Sequence, residues 1–285
     1  MTPQISIIIP SYNTQLPLLY RAIHSALNQT FAPLEVIICD DGSTIPIYEA
    51  VRNYFKPISN YPSIIITTHQ KNLGISAARN SGASCASGDW LCWLDADDTL
   101  HEDCLNQLQV SCRNSKMVIG DCDLYVDGNH FQRRLVSDLE RRLRDHHRTA
   151  RDPFLTQVTS LQPQLFCKNT FFQLGGFSVE YQYAEVTELF LRFLATFGAD
   201  EVRFSPKGIY NYTYQAPHSW SRARDALFDH RYRALDAYRQ AINVDGQLVY
   251  QRRDFVSGFQ IYELQCERGK KWTEQSNSRA SMVQI

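Results

Sequence analysis

Asp95-Ala96-Asp97-Asp98 places three carboxylates within four residues. Crowded anions repel one another, and leaving them unpaired where a chain emerges from a sheet is costly. A divalent cation is the simplest remedy. Mg²⁺ and Mn²⁺ take carboxylate oxygen and commonly share it with the phosphate oxygens of a bound nucleotide. The competing reading is an acidic turn that caps a following helix, since Asp98-Thr99 is a good N-cap. The residues just before, Trp90-Leu91-Cys92-Trp93-Leu94, form a short apolar run of the kind that makes a buried strand. Such a strand would deliver the acids at one edge of a sheet.

The elements that must position this cluster can be read upstream of it. Ile5-Ser6-Ile7-Ile8-Ile9 is nearly continuous and β-branched, which predicts a buried parallel strand ended by Pro10. Ser11-Tyr12-Asn13 reads as a turn. Leu16, Leu19, Ala22, Ile23, Ala26 and Leu27 then recur at helical spacing. A second strand over 34–39 leads to Asp40-Asp41-Gly42-Ser43. A helix over 47–55, a strand over 63–68 and a small-residue helix over 75–86 follow, before the strand that carries the acids. This β-α-β-α-β-α-β order predicts an α/β doubly wound fold. Ligands of such folds lie outside the carboxyl ends of the strands. Pro10-Ser11-Tyr12, Asp40-Asp41 and Asp95-Ala96-Asp97 all fall at those ends.

Composition narrows the field. The chain has 285 residues, a formal net charge of −1 and a pI near 6.7, so no large basic surface points to nucleic acid. No stretch approaches the roughly 20 apolar residues of a membrane span, and Met1-Thr2-Pro3-Gln4 before a strand does not read as a signal peptide. The eight cysteines include no C-x-x-C pair. Reduced, buried thiols and a cytoplasmic location are therefore the expectation. There is no G-x-G-x-x-G after the first strand and no P-loop. Phosphates would be neutralised another way, and a metal on Asp97 is the available one.

Four motifs stand together: Ile-Pro-Ser-Tyr-Asn at 9–13, Asp-Asp-Gly-Ser at 40–43, Asn72-x-Gly74-x-x-x-Ala78-Arg79-Asn80-x-Gly82, and Asp95-Ala96-Asp97-Asp98. In order and spacing they resemble the family 2 glycosyltransferases of the GT-A fold, over roughly residues 4–125. The resemblance implies a nucleotide-sugar donor, a divalent metal (Mn²⁺ or Mg²⁺) and inverting transfer. It also implies that Pro10, Ser11, Tyr12 and Asp41 hold the base. Tyr12 would stack on it and Asp41 would accept an imide N–H, favouring uridine or thymidine over guanosine. By the same comparison Arg79 and Asn80 flank the donor pocket, Asp95 and Ala96 lie at the ribose, and Asp97 binds the metal. Two plainer readings stay open: Arg79 pairing with Asp40 or Asp41, and Asn72 merely capping a helix.

The motifs thin out downstream. A helix over 103–112 and a strand over 117–119 are expected. Residues 127–152 are rich in Arg interleaved with Asp, Glu and His, which predicts a solvated helix with i,i+4 pairs. Gly175-Gly176-Phe177 and Glu185-Val186-Thr187-Glu188-Leu189-Phe190-Leu191-Arg192 also resemble the family, with one departure. Val186 stands where the family has its catalytic Asp. Glu185 is then the first candidate for the base and Glu188 the second, although Glu188 could instead pair with Arg192. His218-Ser219-Trp220-Ser221 resembles a late segment whose histidine reaches the metal or diphosphate; a solvated loop histidine is the alternative.

Apolar residues at helical spacing from Leu227 to Ile242, and again at Phe255, Phe259 and 262–264, predict two C-terminal helices. These would cover an acceptor cleft or pair two subunits into a homodimer. The expected organisation is a donor-binding half over 1–125, an acceptor-side half over 126–222, helices over 223–268 and a polar tail over 269–285. The acceptor itself, whether saccharide, lipid, small molecule or peptide, is not legible. Three functions fit these residues: a metal-dependent glycosyltransferase, a nucleotide-sugar binder that lost its base at Val186, or a nucleotidyltransferase with paired aspartates and metal.

Overall fold

Ile5–Ser11 forms β1, buried along its whole length. In this computed structural model residues 2–55, 62–126, 128–134, 140, 164–214, 224–242, 247–253, 260–265 and 283–284 are described. β1 lies between β2 (Glu35–Asp40) and β4 (Trp90–Trp93), with β3 (Ser63–Thr68) outside β2, and all four strands run parallel. β1, β2 and β4 are buried on both faces, which explains their apolar centres, while β3 at the sheet edge is only half-buried. Helices α1 (Leu16–Leu27), α2 (Tyr48–Phe55) and α3 (Ile75–Cys85) make the crossovers. The doubly wound half expected from the sequence is present, element for element.

Pro10 does not end β1, which continues through Ser11 beside Asp40. The expectation fails because β4 pairs only with Ile5 to Ile8. Beyond Ile8 the β4 side of β1 has no ladder, so the missing N–H of proline leaves no partner unmet.

The sheet continues past β4 in mixed directions. Its order is β3-β2-β1-β4-β8-β6-β9-β5, with β7 paired to β6. Here β5 is Thr99–Leu100, β6 Met117–Val126, β7 Asn129–Arg134, β8 Gln164–Cys167 and β9 Val202–Tyr214. β8 runs antiparallel to both β4 and β6, while β6 and β9 are parallel. Helix α4 (Cys104–Gln109) and a 3-10 turn at Val110–Cys112 lie where one helix was expected. Two further helices, α5 (Lys168–Gln173) and α6 (Glu185–Phe197), follow β8. Phe166, Phe171 and Phe193 are fully buried between these pieces and, with Trp93 and Phe177, form one aromatic cluster.

Three expectations are corrected. Asp98-Thr99 caps no helix; Thr99 opens β5, which pairs with β9. Within 127–152, residues 129–134 form a strand antiparallel to β6. The Gly128 turn, at φ 80°, folds that chain back into a hairpin, and this overrides the charge pattern. The rest of that segment, apart from Glu140, lies outside the described residues. Finally, among the described residues only one C-terminal helix forms, α7 (Arg224–Ala241). The second gives way to β10 (Gln247–Arg253) and β11 (Gln260–Gln265), which pair with each other and, through β11, with β12 (Val283–Gln284). Leu248-Val249-Tyr250 and Ile261-Tyr262 are β-formers, and two of the residues that suggested a helix, Phe255 and Phe259, lie outside the described residues. α7 packs on α6 and buries Ala234 and Leu235, so part of its apolar face is covered within the chain. Among the described residues no helix is long and apolar enough to cross a membrane.

Candidate active site

The carboxyl ends of β1, β2 and β4 converge. Asn13 holds φ 51°, a conformation asparagine tolerates better than most residues. Its N–H donates to Ser43 Oγ (2.9 Å) and its Oδ1 accepts from the Thr44 N–H (2.8 Å). The turns after β1 and β2 are thereby fastened together. Tyr12 stands between them, 48% exposed, with its ring free to meet a ligand. Pro10 and Ser11 are buried in the strand behind it, and Ser11 Oγ donates to Thr14.

Asp40 and Asp41 are both buried but do different work. Asp40 accepts from the N–H groups of Ser43 and Ile47 and so shapes the start of the α2 crossover. Asp41 accepts from the N–H groups of Leu73 (2.9 Å) and Gly74 (2.8 Å) and contacts His69 Nδ1 at 2.6 Å. Neither pairs with Arg79. Gly74 occupies the N-cap of α3 with no side-chain cap, so Asn72 does not cap that helix.

Arg79, 1% exposed, sits on α3 with its Nη2 2.7 Å from Asp95 and its Nη1 2.5 Å from Glu185. Its guanidinium also lies 5.3 Å from the centre of the Phe177 ring. Burial alone would lower its proton affinity, but the two carboxylates outweigh that and hold the cation charged. One buried arginine therefore joins the acidic turn after β4 to the first residue of α6. Asn80 makes a reciprocal pair with the backbone of Phe177: Nδ2 donates to its carbonyl (2.8 Å) and Oδ1 accepts its N–H (2.9 Å). A Cβ on Gly176 would lie 2.7 Å from Asn80 Oδ1, which explains the glycine pair there.

Within the acidic turn the three carboxylates diverge. Asp98 is buried, accepting from Tyr210 Oη (2.6 Å) and the Thr213 N–H (2.6 Å). Desolvation and the neighbouring acids raise its proton affinity well above the ordinary range. Tyr210 Oη also accepts from the Asp95 N–H (3.1 Å), so one phenol braces both ends of the turn. Ala96 is buried. Asp97 is exposed at its surface, yet protein surrounds it closely enough that desolvation, then Asp95, push its carboxyl up to about 6. Its backbone carbonyl accepts from Arg21 of α1 (2.6 Å). Among the described residues Asp97 has no ion pair, and no group of three or more His, Cys, Asp or Glu side chains could hold a metal alone. One uncommitted carboxylate matches a Mg²⁺ or Mn²⁺ site whose remaining oxygens come from a diphosphate.

Glu185 opens α6 just after Ala184, which holds φ 59°. Val186 is partly buried against the core and carries no titratable group. Glu188 forms the i,i+4 pair with Arg192, both contacts at 2.7 Å. Arg192 also donates to the carbonyls of Leu174 and Gly176, clipping the glycine turn to α6. His218 lies outside the described residues. Burial pushes the Cys39 and Cys92 thiols up to about 12, which disfavours their reactive thiolate form.

Sequence reading missed Arg21, His69 and Tyr210. Each touches the site from an element distant in the chain, so only strand order reveals it. His69 alone left a sequence trace, standing directly after a strand and just before the Asn72-x-Gly74 run.

A doubly wound sheet extended by mixed strands, with an acidic turn beyond its fourth strand, is the arrangement of the GT-A fold. Residues 6–175, more than half of the chain, match the model for Glycosyl transferase family 2, and the chain belongs to that family. It is 32% identical over 140 residues to an uncharacterized glycosyltransferase, EpsJ, of Bacillus subtilis (strain 168), covering 49% of this chain and 39% of that one. Chondroitin synthase of Escherichia coli is 38% identical over 111 residues, 38% of this chain and 16% of the synthase. The putative glycosyltransferase EpsH of B. subtilis is 24% identical over 236 residues, 80% of this chain and 66% of EpsH. The chain thus spans less than two thirds of the length of these relatives. The crystal structure of S. aureus TarS 1-349 shares the fold, with a TM-score of 0.57 at 16% identity over 82% of this chain and 65% of that one. Family membership sets the nucleotidyltransferase reading aside.

Proposed function

We propose that this chain transfers a sugar from a UDP-sugar to an acceptor nucleophile with inversion. The observation that carries the proposal is the convergence of Tyr12, Asp41, Asp95 and Asp97 at one sheet edge, with Arg79 locking Asp95 in place. A TarS structure of the same fold was determined in complex with UDP, which supports a uridine donor. In this reading the Tyr12 ring stacks on uracil, Asp41 accepts its imide N–H and Asp95 meets the ribose. Asp97 and the diphosphate together would hold Mn²⁺ or Mg²⁺, which supplies charge neutralisation to the departing diphosphate. Glu185 is the proposed base, taking the acceptor proton as the acceptor attacks the anomeric carbon.

A second reading has one observation in its favour. Val186 is apolar, and Glu185 is already engaged in an ion pair with buried Arg79, so neither offers an uncommitted carboxylate to an acceptor. On that reading the chain binds a nucleotide sugar without turning it over. Incubation with UDP-sugars and Mn²⁺ separates the two. A transferase slowly releases UDP to water even without acceptor, and binding with no UDP release supports the binder.

A further inference from the structure

His69 follows β3, next to the strand that ends in Asp40. Its backbone N–H donates to the Asp40 carbonyl (2.8 Å), which fixes the start of the loop. Its ring stands between two elements: Nδ1 is 2.6 Å from Asp41 Oδ1, and Nε2 is 2.8 Å from Ser81 Oγ on α3. The carboxylate can only accept, so Nδ1 carries the proton; in the neutral ring Nε2 then accepts from the Ser81 hydroxyl. The ring is largely buried, with 12% of its side chain exposed. Asp41 Oδ1 thus receives both His69 and the Leu73 N–H, while Oδ2 receives only the Gly74 N–H. A carboxylate oxygen has two lone pairs. Oδ2 therefore keeps acceptor capacity when Oδ1 is filled.

Backbone packing holds this arrangement in register. Gly42 has φ +73°, and a Cβ there would overlap the backbone of Lys71. The turn carrying Asp41 thus lies directly against the loop that runs from His69 to Gly74. Ser81 shares α3 with Arg79 and Asn80, so the chain Ser81–His69–Asp41 ties the base end of the site to the helix that braces its acidic end.

From this geometry we infer that His69 and Ser81 are positioning residues for nucleobase selection: the relay helps fix the Asp41 carboxylate in one rotamer for a base that presents an N–H. The inference rests on the proposed uridine-donor reading. Uracil offers an N3–H to such a carboxylate. Cytosine has a lone pair at N3 and its donor is the N4 amino group, so a carboxylate held opposite N3 meets it in the wrong place. Without the relay only the Leu73 and Gly74 N–H groups hold the Asp41 carboxylate, its orientation is less sharply fixed, and the distinction between the two bases fades.

The test is calorimetric titration of UDP and CDP, with Mg²⁺, into wild type and His69→Asn, His69→Gln, His69→Leu and Ser81→Ala. Asn keeps a donor near the Nδ1 position. Gln reaches toward Ser81 but not Asp41. A hydrogen bond to a charged group corresponds to roughly a 10- to 100-fold change in affinity. We expect His69→Leu and His69→Gln to weaken UDP by about that factor and to lower the preference for UDP over CDP, with Asn restoring both and Ser81→Ala showing a smaller loss. A merely structural role would lower the melting temperature and weaken both nucleotides equally. If wild type prefers UDP and every soluble variant keeps that preference, the inference is overturned. Should Leu fail to fold, the contrast between Asn and Gln decides. If wild type itself fails to distinguish UDP from CDP, the uridine-donor reading fails instead.

Discussion

Arg79 is buried with two carboxylates, so the cluster it forms with Asp95 and Glu185 carries one net negative charge. Removing one partner of a buried pair is costly because the other is left uncompensated. Glu185→Gln, however, leaves Arg79 with Asp95 and preserves shape. If Glu185 is the base, that variant loses about 10²–10⁴-fold in transfer rate while UDP affinity stays within a few-fold. Loss of UDP affinity with an unchanged rate would make it a brace instead. Glu188→Gln should spare the rate and lower the melting temperature, because it weakens the Arg192 clip. Asp97 makes a separate case. Its folded-state pKa of about 6 lies above the ordinary 3.8, so the folded, metal-free protein binds the extra proton. Stability then falls as pH rises from about 4 through 6. Asp97→Asn should remove that slope, melt no lower than wild type in EDTA at pH 7, and abolish metal-dependent donor binding. Melting curves at both ends of the window, with donor titrations, check each part. At this scale the sequence made the Glu188–Arg192 pair legible, since it follows from local spacing. It could not show that Arg79 meets Asp95 and Glu185, because Glu185 lies 106 residues away.

Helix α1 serves the site through its polar residues as much as its apolar ones. Gln29 Nε2 donates to the carbonyls of Ser25 and His101, and its Oε1 accepts from the Leu105 N–H. Ser25 Oγ accepts from the Leu100 N–H. The chain leaving the acidic turn is thus held against α1. Asp103 extends the tie: Thr30 Oγ1 donates to it at 2.6 Å, and Gln107 and Asn106 add further bonds. Those donors, Thr30 foremost, lower its carboxyl from 3.8 to about 2. A depressed carboxyl stabilises the fold above its unfolded pKa, and the contribution is lost as pH falls from about 4 toward 2. Thr30→Val should move the Asp103 midpoint up toward 3.8 in an NMR carboxyl titration; a midpoint that stays near 2 would refute the assignment. The elements up to β4 were legible because each has a strong period and clear turn residues. β7, β10 and β11 were not. Their sequences are polar or mixed, and hairpin pairing rather than local preference decides them.

At the scale of the whole molecule, the donor-side features and the features that follow them differ in kind. Every residue proposed to meet the nucleotide comes from the ends of β1, β2 and β4, three strands joined in one parallel ladder. A nucleotide seated there would bridge turns that Asn13, Ser43 and Thr44 already link on one side. It should therefore bind the folded state selectively and stabilise it. At a concentration of about 100 times Kd, linkage gives roughly 2.7 kcal/mol. For a chain of this size that corresponds to a rise of several degrees in melting temperature, since a shift of about 1 kcal/mol moves Tm by roughly 2–4 °C in a domain of 150–250 residues. Asp41 as an acceptor admits guanine too, through its N1–H, so discrimination between UDP and GDP must come from pocket shape around Tyr12. We expect UDP with Mn²⁺ to give the full rise and GDP with Mn²⁺ to give less at equal concentration. EDTA should reduce the UDP shift, because the diphosphate would then face Asp97 and Asp95 without a cation between them. A larger shift with GDP would overturn the assignment of Tyr12 and Asp41 to a pyrimidine. A UDP shift indifferent to EDTA would remove the metal from Asp97 while leaving the base pocket standing.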